Sequence, residues 1–278
     1  MASTIEEIIK KAKHCLRQGK NPVSAHVALG IASFEGGDAG LAIKHYQKAL
    51  DLSDVSAEAH AGLGISFGRT GDLKKSQVHL IRAFELSPEC GVLANWIADA
   101  FFDAGDFDNA VRFYTEAIRL NASDSNAHND MADVFRLRGN FAEALKLYEK
   151  TIQLDPHDTN ARLERAQCLI QLGQSNDALI ALKELIAAYP TSKDSETASV
   201  ICGTLYFKNS DFAEALKWLQ RAIESFPFNR TILFQAAVCA DKTGKNTECI
   251  KYLKRILELD ETDARASAML KKVSPKCG

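Results

Sequence analysis

The chain has 278 residues, 46% of them hydrophobic and 25% charged, which is enough apolar material to fill one or two ordinary domain cores. A net charge of -2 and an isoelectric point near 6.4 exclude a global attraction to nucleic acid or to an anionic membrane. Cys15, Cys90, Cys168, Cys202, Cys239, Cys249 and Cys277 are odd in number, scattered and without a CxxC pair, so they read as buried thiols of a reducing compartment and point to a cytoplasmic location.

Residues 1–21 predict a capping helix, with Ile5, Ile8, Ile9, Ala12 and Leu16 on one face. This start lacks the unbroken apolar core of a signal peptide, and Glu6 and Glu7 argue against a transit peptide. An alternative reading makes it an arm that docks on a neighbouring copy. Nothing in the chain approaches the ~18 apolar residues of a membrane span.

From residue 22 a period takes over. Gly37, Gly71, Gly105, Gly139 and Gly173 recur every 34 residues, and Ser210 and Gly244 continue the spacing after a slip of three. Each marks a tight turn between two amphipathic runs, so seven helix-turn-helix units are expected over roughly 23–56, 57–90, 91–124, 125–158, 159–192, 196–229 and 230–263. Seven residues before the turn stand Gly30, Gly64, Ala98, Ala132, Ala166, Gly203 and Ala237; five after it stand Ala42, Ser76, Ala110, Ala144, Ala178, Ala215 and Cys249. These small residues face each other where two helices approach closely. Tyr46, Leu80, Tyr114, Tyr148, Leu182, Leu219 and Leu253 fill the next turn, and Pro88, Pro156, Pro190 and Pro227 follow the second helices they terminate. The organisation read from this is a cap over 1–21, five repeats over 22–192, two over 193–263, and a capping helix with a tail over 264–278.

Spacing and columns together resemble the tetratricopeptide repeat, and "GNFAEALKLYEKTIQLDP" beginning at Gly139 is close to that family's consensus. The resemblance implies an all-α fold, a right-handed α-solenoid superhelix whose first helices line a concave groove that holds a peptide, helix or partner protein. It says little about which partner, because the family is a scaffold carrying different surfaces. Relatives that clamp acidic chaperone tails use lysines on successive first helices. Val27, Ala61, Asn95, Asn129, Leu163, Val200 and Phe234 stand at the first of those positions here, so chaperone-tail binding is not expected.

Several departures from the pattern stand out. The three-residue slip around Thr191-Ser192-Lys193-Asp194 predicts an elongated loop, either a hinge or merely a longer surface connection. Arg165 occupies an otherwise apolar column, and is expected to pair with Glu164, Glu184 or a carbonyl, or to reach solvent. "GLGISFG" follows no strand and opens no helix, so it is no phosphate loop; Gly62 and Gly68 are expected near the groove, where a ligand backbone could approach. His26, His60 and His128 share one column and read as packing residues, since histidines of different repeats cannot reach one coordination sphere of ~2 Å. With no HExxH or GxSxG motif, and with acid pairs such as Asp130 and Asp133 on an open face, no enzyme activity, cofactor or metal is expected.

The first helices carry the variable residues. Val27, Ile31, Phe34, Ile65 and Arg69 lie at one end and Val200, Ile201, Phe207, Phe234, Gln235 and Val238 at the other. The middle is acidic and rich in amides: Asn95, Trp96, Asp99, Asp103, Asn126, Asn129, Asp130, Asp133, Arg136, Asn160, Glu164 and Gln167. Amides offer donor and acceptor to a ligand backbone, acids supply charge preference, and Trp96 is the anchor unless it folds against Phe102. The expectation is a non-catalytic interaction scaffold or adaptor that binds a basic or neutral protein segment, with no nucleic acid and no membrane insertion. Two alternatives are a structural scaffold that assembles with its own copies through its ends, and the substrate-recognition part of a larger enzyme.

Overall fold

A computed structural model describes residues 2–274, and among these it contains sixteen helices and no strand. The first is α1 (Ala2–Arg17). Hairpins follow in order: α2 (Pro22–Glu35) with α3 (Ala39–Leu52), α4 (Ala57–Arg69) with α5 (Leu73–Leu86), and α6 (Gly91–Asp103) with α7 (Phe107–Leu120); α8 (Ser125–Leu137) and α9 (Phe141–Leu154) are next along the chain. Then come α10 (Thr159–Gln171) with α11 (Ser175–Ala188), α12 (Lys193–Lys208) with α13 (Phe212–Ser225), α14 (Arg230–Lys242) with α15 (Asn246–Leu259), and finally α16 (Ala264–Val273). Two compact units divide this series, Met1–Asn140 and Phe141–Gly278, so α8 belongs to the first and α9 to the second. Cys277 lies outside the described residues.

Local chemistry sets the helix ends. Asp38, Asp72, Asp106 and Asp211 precede second helices and accept the third backbone N–H at 2.8, 3.2, 3.2 and 3.2 Å. Ser56, Asp124, Asp158 and Asn229 do the same for first helices. Each satisfies a donor the helix cannot pair internally, worth about 1 kcal/mol. Between the helices of a pair the turn residue takes a left-handed conformation, from Gly37 at φ 89° to Gly173 at φ 77°. That geometry lets the following N–H return to the first helix, as Asp72 does to the Phe67 carbonyl at 2.9 Å. Ser210 holds the same place at φ 62°.

The facing columns pack as their sizes require. Every large residue from Tyr46 to Leu253 in the second-helix column is at most 4% exposed, and Ala98, Ala132, Ala166, Ala110, Ala144 and Ala178 are wholly buried. A Cβ on Gly64 would lie 2.5 Å from Leu80, and one on Gly203 2.8 Å from Leu219, so the helices close to a distance that only a missing side chain permits. Within the first unit α2, α4, α6 and α8 pack in succession and α3, α5 and α7 back them; in the second α10, α12 and α14 form the corresponding layer. At the termini, α1 packs on α2 through Ala12, Ala25 and Leu29, with Ile9 and Leu16 alongside. At the other end α16 packs on α15 and buries Ala266 and Val273.

Two expectations need correction, the loop and the Arg165 partner, and a third is refined. The slip before the sixth repeat is not a longer loop: four residues connect α11 to α12, as many as connect α9 to α10 or α13 to α14, and the extra three lengthen α12 to sixteen residues where α10 and α14 have thirteen. Ser192 caps this longer helix, Asp194 and Glu196 sit in its first turn, and Asp194 accepts the Thr159 hydroxyl of α10 at 2.5 Å. Gly62 and Gly68 do line cavities of the first unit, as expected, but the Tyr46 ring occupies the place of a Gly62 side chain, where a Cβ would lie 2.3 Å away, and a Cβ on Gly68 would lie 3.3 Å from Ser76 Oγ. Arg165 pairs with Glu149 of α9 at 3.5 Å rather than with Glu164 or Glu184, and both partners keep partial contact with water.

Candidate functional site

The inner face of the first unit holds two adjoining cavities. One, about 390 Å³, is lined by Ile31, Ala61, Ile65, Leu93 and Trp96 among others, and is largely apolar. Its neighbour, about 230 Å³, is lined by Ile65, Arg69, Leu80, Trp96, Asp99 and Asp103. Ile65 of α4 and Trp96 of α6 border both. On α6, Trp96, Asp99 and Asp103 follow at i, i+3 and i+7, which puts an aromatic group and two carboxylates on one stripe. Trp96 is 36% exposed. Phe102, its proposed packing partner, meets Phe107 in a tilted contact at 5.8 Å instead.

Beyond the second cavity a polar cluster joins α6, α7 and α8. The Tyr114 hydroxyl, on a buried ring, donates to Asp99 Oδ1 at 2.7 Å. Burial raises the Asp99 carboxyl above its ordinary range, the Tyr114 hydrogen bond opposes this, and the charges of Asp103 and Asp124 add to it. Asp130 is pushed up to about 6, first by burial and next by the Asp99 charge, while hydrogen bonds from Asn95 and Asn129 pull it back and Asp133 raises it further. The side-chain oxygens of Asn95 and Asn129 are shielded from solvent and meet no donor. Two carboxylates thus share a half-buried place that would be relieved by a cation.

The remaining predicted residues are distributed differently. Arg136 closes on Asp133 one turn away at 3.0 Å, so that acid is already compensated. Asn126 is exposed on the first turn of α8. Asn160, Glu164 and Gln167 belong to the second unit, where Asn160 is exposed and Gln167 donates to Glu164 at 3.0 Å. Val200, Phe207 and Phe234 are half-buried against the second unit's core, and the Arg265 guanidinium covers Phe234 at 5.1 Å. Phe34 lies likewise beneath Arg69 at 5.0 Å. Val27, counted with the groove, is a core residue at 8% exposure.

Two features escape sequence reasoning. Tyr114 reads as filler, yet it hydrogen-bonds a groove acid. His26 and His60 read as isolated packing residues, yet each faces a histidine of its own repeat: His26 meets His45 with Nδ1 atoms 3.2 Å apart, and His60 meets His79 at 3.0 Å. The interval of nineteen residues, written twice at the repeat period, is the signal that finds them. Among the described residues no cluster of three or more His, Cys, Asp or Glu could hold a metal, and no helix is long and apolar enough to cross a membrane. Burial pushes the thiols of Cys202 and Cys239 up to about 12 and about 11, which keeps them protonated and unreactive at neutral pH.

Paired helices at a fixed period, with small and large residues in register and the variable side chains on one layer, define a helical-repeat protein of the α-solenoid class. Two family models, both described as tetratricopeptide repeat, match residues 135–198 with 206–273 and residues 89–157, together more than half the chain. The chain belongs to the tetratricopeptide repeat family. No protein of curated function matches it significantly. Among solved structures it is similar to MamA, at 21% identity and a TM-score of 0.57, over 60% of this chain and 92% of that one. YrrB, described as a TPR protein with an unusual peptide-binding site, is similar at 18% identity and a TM-score of 0.57, over 69% of this chain and 97% of that one. At these identities the likeness concerns the fold.

Proposed function

We propose that the protein is a non-catalytic interaction scaffold that binds a segment of a partner protein on the inner face of its first unit. The segment carries a large apolar side chain for the cavity between Ile31, Ile65 and Trp96, and a Lys or Arg that reaches Asp99, Asp103 and Asp130 about one helical turn further on. The observation that carries this reading is the junction at Trp96, where an apolar cavity adjoins one rimmed by acids on the same helix stripe. A ligand ammonium or guanidinium beside Asp130 would neutralise the pair with Asp99, and could donate to the unpartnered oxygens of Asn95 and Asn129. Family membership supports a scaffold, and YrrB supplies a precedent of peptide binding in the same fold.

A displayed library of random peptides, selected on the immobilised full chain, tests the reading. Enrichment of an aliphatic or aromatic residue close to Lys or Arg is expected. Trp96→Ala should weaken the selected peptides about 30-fold, and Asp130→Lys should abolish them. Selection of acidic peptides, or unchanged binding in both variants, overturns it.

A further inference from the structure

The two histidine pairs lie on a different part of the molecule's chemistry from the groove acids. His26 of α2 faces His45 of α3, and His60 of α4 faces His79 of α5, so each pair spans the two helices of a single repeat. Corresponding members are 34 residues apart, which makes the pairs one arrangement written twice. In both the approach is Nδ1 to Nδ1, at 3.2 and 3.0 Å, with ring centroids 5.5 and 5.3 Å apart and ring planes inclined by 30° and 33°. All four rings keep partial contact with solvent, so an ion has a path to them.

An N–H···N hydrogen bond between two neutral rings accounts for this separation, and so does a shared metal ion. Two imidazole nitrogens bound at ~2.0–2.1 Å lie ~3.3 Å apart around a tetrahedral ion and ~2.9 Å apart when adjacent in a square plane. Both observed distances fall between those limits. The outer nitrogen of His60 is consistent with either: Nε2 lies 3.2 Å from the Asp54 carbonyl oxygen. An Nε2–H donating there makes Nδ1 an acceptor turned toward His79, a lone pair that takes either the His79 N–H or a metal ion, the tautomer that an outer carbonyl fixes in metal-binding histidines. Phe67 stacks on His79 at 5.6 Å with planes only 17° apart, which holds that ring in place.

We propose that His26 with His45, and His60 with His79, are two-histidine sites for a divalent transition-metal ion that prefers imidazole, Zn²⁺ or Cu²⁺, each ion tying together the two helices of its repeat. Water completes the coordination, because no further protein donor joins either pair among the described residues. The ion then acts as a staple: binding the folded hairpin and not the unfolded chain, it stabilises the first two repeats by mass action. His128 marks the contrast. It occupies the same first-helix position in the fourth repeat, but its Nδ1 faces the Asp124 carbonyl at 2.8 Å, and the residue nineteen further on is Leu147. It is a packing histidine.

The test uses the full chain, stripped with a chelator and titrated with Zn²⁺ alone and then Cu²⁺ alone. Calorimetry should give one ion per pair, the ring nitrogen signals of the four histidines should shift while those of His14, His128 and His157 stay, and the unfolding midpoint should rise with metal concentration. His45→Gln should remove the first site only, His79→Gln the second only, and the double variant both. Absence of ring shifts up to about 100 μM of either ion, or an unchanged stoichiometry in the double variant, which would place the ions on thiols, overturns the proposal. Should either variant fold poorly, His26→Gln and His60→Gln repeat the test from the other helix, and the ring signals of the unmodified chain decide without any substitution.

Discussion

In the second unit most buried side chains fall into two extended clusters, one around Leu216, Leu233 and Leu253, the other around Leu163, Leu182 and Cys202. The first unit, built from the same hairpin, divides its buried residues among smaller groups such as Ala98, Ala110, Tyr114 and Val134. It also carries both cavities at Trp96, the Asp99 and Asp130 pair and both histidine pairs. A repeat tolerates such differences because each hairpin needs only its fixed columns to pack. Side chains outside those columns can serve the core, as in the second unit, or a surface, as in the first.

The largest effect that separates the units pairs Leu219→Ala with Trp96→Ala. Leu219 is fully buried in the space Gly203 leaves open, so its truncation should cost about 2–5 kcal/mol in urea unfolding followed by circular dichroism. Trp96, bordering open cavities, should cost under about 1 kcal/mol in the same measurement, its loss appearing in binding instead. Equal destabilisation would make Trp96 a core residue and erase the contrast.

Next in size is the glycine pair of α4. Gly62→Ala drives a methyl to 2.3 Å from the Tyr46 ring, which is 4% exposed and wedged against Gly30 as well. Overpacking of this kind costs about 1–3 kcal/mol even against the helix-propensity gain of about 1 kcal/mol. Gly68→Ala meets only Ser76 Oγ at 3.3 Å and should be neutral or mildly stabilising. A thermal melt of each variant decides; equal midpoints would mean that Tyr46 moves freely in its slot.

These two glycines show where the sequence was legible and where it was not. The columns that close the hairpin follow from the period alone, since a small residue at each 34-residue interval has one steric use. The side-chain traffic between helices does not follow, because it depends on which neighbour a position faces. Gly62 lines the apolar cavity with the Tyr46 ring of the preceding second helix set against it, Tyr114 reaches across to Asp99, and the histidines meet within a repeat. Ser192 followed by Asp194 and Glu196 already spelled a helix start. Counting the slip as loop overlooked that a first helix can absorb three residues as one more turn.

A smaller effect tests the acid pair by pH. Asp130 has a folded-state value of about 6 against 3.8 ordinarily, so the folded chain holds a proton that the unfolded chain releases between about pH 4 and 6. Stability contributed by that proton is therefore lost as pH rises through the window, and the curve flattens above about pH 7. Asp130→Asn keeps a polar partner for Asn95 and Asn129 but cannot ionise, and should remove that part of the slope in urea midpoints. Affinity for a Lys-bearing peptide should run the other way, rising with pH in the unmodified chain as the pair ionises. An identical slope in the variant would show that Asp130 stays ionised throughout, and with it that the pair carries no unrelieved charge.

The smallest effect lies in the second unit, at the one turn that lacks its glycine. Ser210 sits at φ 62°, where the other six turn positions hold glycine at φ 75° to 89°. A left-handed residue with a Cβ is strained by about 1–2 kcal/mol, while glycine gives back about 0.4–1 kcal/mol through the greater freedom of its unfolded chain. Ser210→Gly should therefore stabilise by about 0.5 kcal/mol, and Gly139→Ala, at φ 78° in the equivalent turn, should destabilise by about 1 kcal/mol. The backbone returns are already the same in both turns, from Asp211 to the Tyr206 carbonyl at 3.0 Å and from Asn140 to Phe135 at 2.8 Å, so the difference isolates the Cβ. A Ser210→Gly variant no more stable than the parent would mean that the turn relaxes to hold serine without strain, and that this hairpin differs from the other six in more than its residue.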